Sequence, residues 1–181
     1  LAGHYAVVYA AGMVTSTPHP KPAYDFFYRE NVLACTRLFT IAREVGVTRG
    51  VILGSYFNTI DRLRPELRLT EQHSYIRSRH IQAEEALKAA MPDLQLMILE
   101  LPYIFGSMPG RTSQWAALVN YVRSPYPLFF PSGGTNAISA VHVAEAIAGA
   151  IEYGVGGTRY PIGDENLTWV ELLGRLSRLT G

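Results

Sequence analysis

Short apolar runs alternate along this chain with longer stretches of helical periodicity, and that alternation constrains the fold more than any other feature. "YAVVYAAG" (5–12) has the character of a buried strand ending in small residues. After a proline-rich loop, "AYDFFYRENVLACTRLFTIAREV" (23–45) repeats apolar residues at helical spacing and stops at Gly46. "RGVILGSYF" (49–57) reads as a second buried strand. "RLRPELR" (62–68), interrupted by Pro65 and Glu66, reads as a solvated loop leading to a helix with Tyr75 and Arg79 that stops near Met91-Pro92. "LQLMILEL" (94–101) is a third strand, closed by Pro102. Helical patterns recur at 113–123, 140–153 and 168–179, with a short strand, "TRYPIG" (158–163), between the last two.

Strand, helix, strand, helix, strand requires right-handed crossovers and a parallel sheet covered on both faces. The expectation is therefore an α/β chain, a doubly wound parallel sheet in three α/β/α layers. Ligands of such sheets sit beyond the carboxyl ends of the strands. Ala11 and Gly12 follow the first strand, Ser55 ends the second and Pro102-Tyr103 follow the third. Small residues there let a flat ligand approach the backbone. Tyr75 and Arg79, four apart on a helix, share a face one turn apart. A cation beside a phenol favours its ionised form. Taken alone, the pair is as readily a surface contact as catalytic machinery.

Composition narrows the function classes. At 48% hydrophobic and 17% charged residues the chain is globular, and 181 residues suffice for one sizeable core. A formal net charge of +1 without a dense basic stripe argues against nucleic acid as partner. No apolar run approaches the roughly 18 residues of a membrane span. The single cysteine, Cys35, has no internal disulfide partner and reads as a filler on a helix face in a cytoplasmic protein. The five histidines lack ligand-type spacing, so no metal site is expected.

The ordered motifs resemble the extended short-chain dehydrogenase/reductase superfamily, its NAD-dependent epimerase/dehydratase group. "VVYAAG" (7–12) is similar to the fourth-strand motif V-x-H-x-A-A/G. "ENVLACTRLFTIAREVGVTRGVILGS" (30–55) is similar to the N-V-x-G-T helix and the strand after it, with Ser55 where the family has its catalytic Ser or Thr. "YIRSR" (75–79) falls on Y-x-x-x-K, "LPYIFG" (101–106) on R-P-x-x-x-Y-G and "VHVAEAIAGAI" (141–151) on V-H-V-x-D-x-A. The resemblance implies a Rossmann-like fold forming one partial NAD(P)-binding domain over 1–181, with substrate-region elements at 106–140 and 155–181. The glycine-rich pyrophosphate turn has no counterpart, so the chain is expected to lack the N-terminal part of such a domain. Position 79 is Arg instead of Lys, Gly54 stands where a second Ser is common, and Leu101 precedes Pro102 instead of Arg.

The resemblance implies an NAD(P)-dependent oxidoreductase or epimerase/dehydratase acting on a hydroxyl or carbonyl substrate such as a nucleotide-sugar. The alternative is a non-catalytic NAD(P)-binding regulator of the same fold. Catalytic roles fall on Ser55, Tyr75 and Arg79: Tyr75 as acid/base, Arg79 as the adjacent charge, Ser55 holding the substrate oxygen. Cofactor contacts fall on Ala10, Ala11, Gly12, Asn31, Leu53, Gly54, Tyr75, Arg79, Pro102, Tyr103 and Ile104. Asn31 reads as a buried polar brace beside the cofactor strand. A guanidinium keeps lysine's charge but is planar and bulkier, whereas the family's ammonium also binds the ribose hydroxyls. Lysine at 79 is accordingly expected to preserve or improve cofactor affinity and turnover. His142 and Glu145 read as a polar anchor for their helix. Tyr126, Phe129 and Phe130 are candidates either for core or for stacking on substrate. A homodimer through helices 23–45 and 78–91 is expected by resemblance, with Phe26, Phe27, Leu33 and Ile81 as its apolar contacts.

Overall fold

The computed structural model describes residues 1–16, 18–110 and 112–180. Two compact units divide the chain: Leu1–Leu101 with Ala144–Ile162, and Pro102–Val143 with Gly163–Gly181.

The first unit holds β1 (Ala6–Tyr9), α1 (Ala23–Phe27), a π-helical stretch (Tyr28–Leu33), α2 (Ala34–Glu44) and β2 (Arg49–Ser55). It continues through α3 (Tyr56–Leu63), α4 (Leu69–Gln72), α5 (Ser74–Ala90) and β3 (Gln95–Leu101). The strands run parallel in the order β1-β2-β3-β6, where β6 is Arg159–Pro161. Side chains alternate across the sheet. Ile52, Leu96 and Ile98 join Phe39 and Ala42 of α2 and Ala83, Ala86 and Ala90 of α5 in one core. Burying a ring such as that of Phe39 contributes about 1.5–3 kcal/mol. The opposite face meets α7 (Ala140–Tyr153) through its part from Ala144 on: Arg49 Nη2 donates to the carbonyls of Ala150 at 3.2 Å and Gly154 at 2.6 Å. Helices therefore cover both faces of a four-stranded parallel sheet, as the alternation of patterns predicts.

The second unit is built on β4 (Tyr103–Phe105), β5 (Gly134–Ser139) and β7 (Glu165–Thr168), with α6 (Ala116–Val122) and α8 (Trp169–Thr180). β4 and β5 are parallel, whereas β5 and β7 are antiparallel. Ala137, Leu167 and Leu172 form its core, with Phe105, Trp169 and Leu176 packed against them. The sequence patterns do not reveal these three strands. "GTNAIS" and "ENLT" are short and polar, and only pairing across the sheet makes them strands.

Two local readings change. The second strand ends at Ser55, not at residue 57, because Ser55 Oγ accepts from Phe57 N at 3.4 Å and caps α3. Arg62, read as part of a solvated loop, lies in α3 and grips the fully buried Glu100 carboxylate with Nη1 at 2.8 Å and Nη2 at 2.5 Å. Thr59 Oγ1 donates to the same carboxylate.

Candidate functional site

Tyr75 and Arg79 lie in the first two turns of α5, and their four-residue spacing brings the side chains together. Arg79 Nη1 donates to the Tyr75 hydroxyl at 3.1 Å. The guanidinium is not on the surface: Arg79 is only 7% exposed. Its Nη2 donates to the Leu53 carbonyl on β2 at 2.5 Å, and its Nε donates to Gln82 Oε1 at 2.8 Å. The Phe27 ring meets the Tyr75 ring edge-on at 5.7 Å. Among the described residues no ion pair includes Arg79. A buried cation without a carboxylate is costly unless neutral oxygens solvate it, and here three do. Its field reaches the neighbouring core. Burial pushes the Cys35 thiol up to about 12, with the Arg79 charge and a hydrogen bond from Gln82 pulling the other way. Burial likewise raises the Tyr9 phenol, against a lowering contribution from Arg79.

Asn31 is fully buried in the π-helical stretch that interrupts the expected continuous helix 23–45. Its Oδ1 accepts from Met13 N at 2.7 Å, and its Nδ2 donates to Met13 O at 3.2 Å. One side chain thus pins the backbone just past Gly12, with Ser78 Oγ as a further acceptor at 3.3 Å. A Cβ on Gly12 would sit 3.3 Å from Asn31 Oδ1 and 3.8 Å from Arg79 Nη1, so glycine leaves the brace undisturbed. Ala10, Ala11 and Gly12 are exposed beyond the carboxyl end of β1. Gly54 has a packing cause as well: a Cβ there would meet Ile98 Cγ2 at 2.8 Å and Leu99 O at 3.2 Å.

The first unit thus joins Tyr75, Arg79, Leu53, Asn31 and the Gly12-Met13 segment through hydrogen bonds and close approach. Ser55 stands apart in its bonding. It is 5% exposed at the end of β2, and its hydroxyl bonds Phe57 N, not the Tyr75 phenol. Pro102, Tyr103 and Ile104 belong to the second unit, where Trp115 Nε1 donates to Ile104 O at 2.8 Å and Tyr103 packs edge-on against Trp115 and Trp169. His142 Nδ1 pairs with Asp164 at 2.8 Å, while Glu145 is exposed. Backbone donation from Ser139, then the bond from His142, holds the Asp164 carboxyl below its usual range. Tyr126 and Phe129 are 73% and 80% exposed, so the structure does not place them in a core.

Sequence reasoning missed Gln82, Ser78 and Asn58. Gln82 is 1% exposed and Ser78 and Asn58 are fully buried. Gln82 Nε2 donates to Asn31 O at 2.8 Å, and Asn58 Nδ2 donates to Arg79 O at 3.3 Å. A signal was available for the first: a glutamine three residues after Arg79 shares its helical face, and a buried amide must find partners.

No family model matches the sequence, and no curated protein does. Solved structures do match in fold. The crystal structure of gox2253 superposes with a TM-score of 0.77 at 19% identity, over 99% of this chain and 56% of that one. MoeE5 in complex with UDP-glucose and NAD gives 0.73 at 18% identity, over 99% of this chain and 64% of that one. DesIV from Streptomyces venezuelae, a dTDP-glucose 4,6-dehydratase with NAD bound, gives 0.70 at 18% identity, over 97% and 57% of the two chains. The chain thus spans 56–64% of the length of these structures. At such identities the likeness carries the framework: this chain has the α/β fold of these structures, in agreement with the motif order at the level of the fold.

Proposed function

We propose that this chain carries the acid/base half of an NAD- or NADP-dependent oxidoreductase or epimerase/dehydratase acting on a hydroxyl or carbonyl of a small molecule, a nucleotide-sugar first among the classes. The observation that carries the reading is the buried, carboxylate-free guanidinium of Arg79 donating to the Tyr75 hydroxyl at 3.1 Å. A phenol with such a neighbour can give up its proton and hold the resulting charge in a charge-assisted hydrogen bond, ready to accept a proton from substrate. In oxidation Tyr75 Oη takes the proton of the substrate hydroxyl, and in reduction it returns a proton to the carbonyl oxygen. A nicotinamide bound beside Tyr75 would supply the hydride acceptor or donor. Ser55 is assigned to hold the substrate oxygen, which requires its hydroxyl to turn from the Phe57 amide.

The residues present fit a dinucleotide. Exposed Ala10, Ala11 and Gly12 leave the backbone beyond β1 open. A guanidinium has five N–H groups. Three are engaged by Tyr75, Leu53 and Gln82, so two remain for ribose hydroxyls. Asn31, Leu53 and Gly54 are assigned to the wall beside them. The nucleotide-sugar class is supported by the ligands of MoeE5 and the activity of DesIV. A homodimer in the cytoplasm completes the proposal. The buried thiol of Cys35 accords with a reducing compartment, and among the described residues no helix is long and apolar enough to cross a membrane.

The test is NADH or NADPH formation by the full-length protein over nucleotide-sugars, sterols and small alcohols. Tyr75→Phe should abolish turnover while leaving dinucleotide affinity nearly intact, because the phenol acts mainly in the transition state. Turnover that survives Tyr75→Phe would overturn the assignment. Dinucleotide binding without turnover on any substrate would favour the regulator.

A further inference from the structure

We infer that Gln82 is a positioning residue matched to Arg79, orienting the guanidinium toward the Tyr75 hydroxyl and tying that orientation to the loop after β1. The inference rests on the acid/base role assigned to Tyr75 above. Lysine at position 79 would end in one rotating ammonium, whereas arginine ends in a planar fork whose direction is set by what holds Nε. Here Nε has one acceptor, Gln82 Oε1 at 2.8 Å. With Nε held, Nη2 falls on Leu53 O and Nη1 on the Tyr75 hydroxyl. The other end of the Gln82 amide is also committed, donating from Nε2 to Asn31 O at 2.8 Å. Asn31 in turn grips both the N–H and the carbonyl of Met13. A continuous series of bonds therefore runs from the half-buried backbone of Met13 beyond β1, through Asn31 and Gln82, to Arg79 and Tyr75. Gln82 is 1% exposed and cannot exchange these partners for solvent. Neither hydrocarbon nor carboxylate at position 82 can do both jobs: one lacks an acceptor for Nε, and the other lacks a donor for Asn31 O.

Two variants separate positioning from packing. Gln82→Met keeps length and loses the bonds to Arg79 Nε and Asn31 O, while Gln82→Glu keeps the acceptor for Nε but adds a negative charge beside the cation. The first readout is the Arg79 Nε–Hε NMR signal, assigned by its loss in Arg79→Lys. It should be exchange-protected in the wild type and in Gln82→Glu, and lost in Gln82→Met. The second is turnover of the full-length protein. Gln82→Met should lower kcat about tenfold, with a smaller rise in KM for the dinucleotide because Arg79 is also assigned to the ribose hydroxyls. Gln82→Glu should move the pH-rate profile to higher pH, because its carboxylate offsets the Arg79 field. A merely structural amide would move neither the profile nor the kcat-to-KM split. A protected Nε–Hε signal persisting in Gln82→Met would overturn the inference, as would a Gln82→Glu profile that overlays the wild type. If Gln82→Met does not fold, the Gln82→Glu results decide alone. Absence of turnover in the wild type would refute the acid/base reading itself, while the Nε–Hε signals would still decide whether Gln82 orients the guanidinium.

Discussion

Arg79 Nη2, on α5, donates to the Leu53 carbonyl, on β2, at 2.5 Å. The cation beside Tyr75 is thereby also a stitch between helix and sheet, and it is buried with three oxygen acceptors around it. This relationship argues against the expectation drawn from the Y-x-x-x-K comparison that lysine would serve as well or better.

Arg79→Lys is expected to weaken the protein, because one ammonium cannot reach Leu53 O, Gln82 Oε1 and the Tyr75 hydroxyl together. Each acceptor left unpaired in a buried site costs about 1–3 kcal/mol. Urea unfolding should show a loss of about 2 kcal/mol for Arg79→Lys and a larger one for Arg79→Met. Turnover should fall in both. An Arg79→Lys variant as stable and as active as the wild type would refute the matched geometry.

The Cys35 thiol makes stability depend on alkaline pH. Its pKa in the folded state, about 12, lies above the value near 8.5 of a free thiol. The folded state therefore keeps a proton that the unfolded chain loses. The contribution is whole below about pH 8.5 and is lost as pH rises toward 12, at about 1.36 kcal/mol per pH unit. Unfolding free energies measured at pH 8 and pH 10 should fall by about 2 kcal/mol more in the wild type than in Cys35→Ala. Parallel pH dependences in the two proteins would contradict the burial of this thiol.

Glu100 is fully buried and bonded to Arg62 and Thr59, with Arg159 Nη1 at 3.8 Å. Glu100→Gln should destabilise by about 2–4 kcal/mol, since Arg62 then faces an amide in place of a carboxylate. Arg62→Met with Glu100→Leu should cost less than the sum of the two single changes, because the pair is removed together. Thermal unfolding of the four proteins measures the coupling, and simple additivity would mean that the pair contributes nothing.

Dimerisation is expected through helices 23–45 and 78–91, although not through every residue first assigned to them. Phe27 is 2% exposed and packs on Tyr75, so it is spent within its own chain. Leu33 and Ile41 are 49% and 40% exposed and are left for a partner. Light scattering at micromolar concentration should give a dimer that Leu33→Asp with Ile41→Glu converts to a monomer. A wild-type monomer would count against this interface.

What the sequence determined by itself was whatever depends on near neighbours in the chain. Three apolar runs with helices between them specify a parallel sheet, since each crossover helix returns the chain to the same end of the sheet and covers one of its faces. The spacing of Tyr75 and Arg79 specifies that phenol and guanidinium meet, because an α-helix places residues four apart side by side. Only the tertiary structure decided what the guanidinium does next. Leu53 is 26 residues away in sequence and Asn31 is 51 residues from Gln82, so no local pattern pairs them. The π-helical turn at Tyr28–Leu33 was hidden for the same reason, since the partners of Asn31, Met13 and Ser78, lie on other segments. Arg62 looked solvated because the buried carboxylate that claims it lies 38 residues on. The strands of the second unit were equally silent: "GTNAIS" and "ENLT" become strands through backbone bonds to each other, and those bonds carry no side-chain signature.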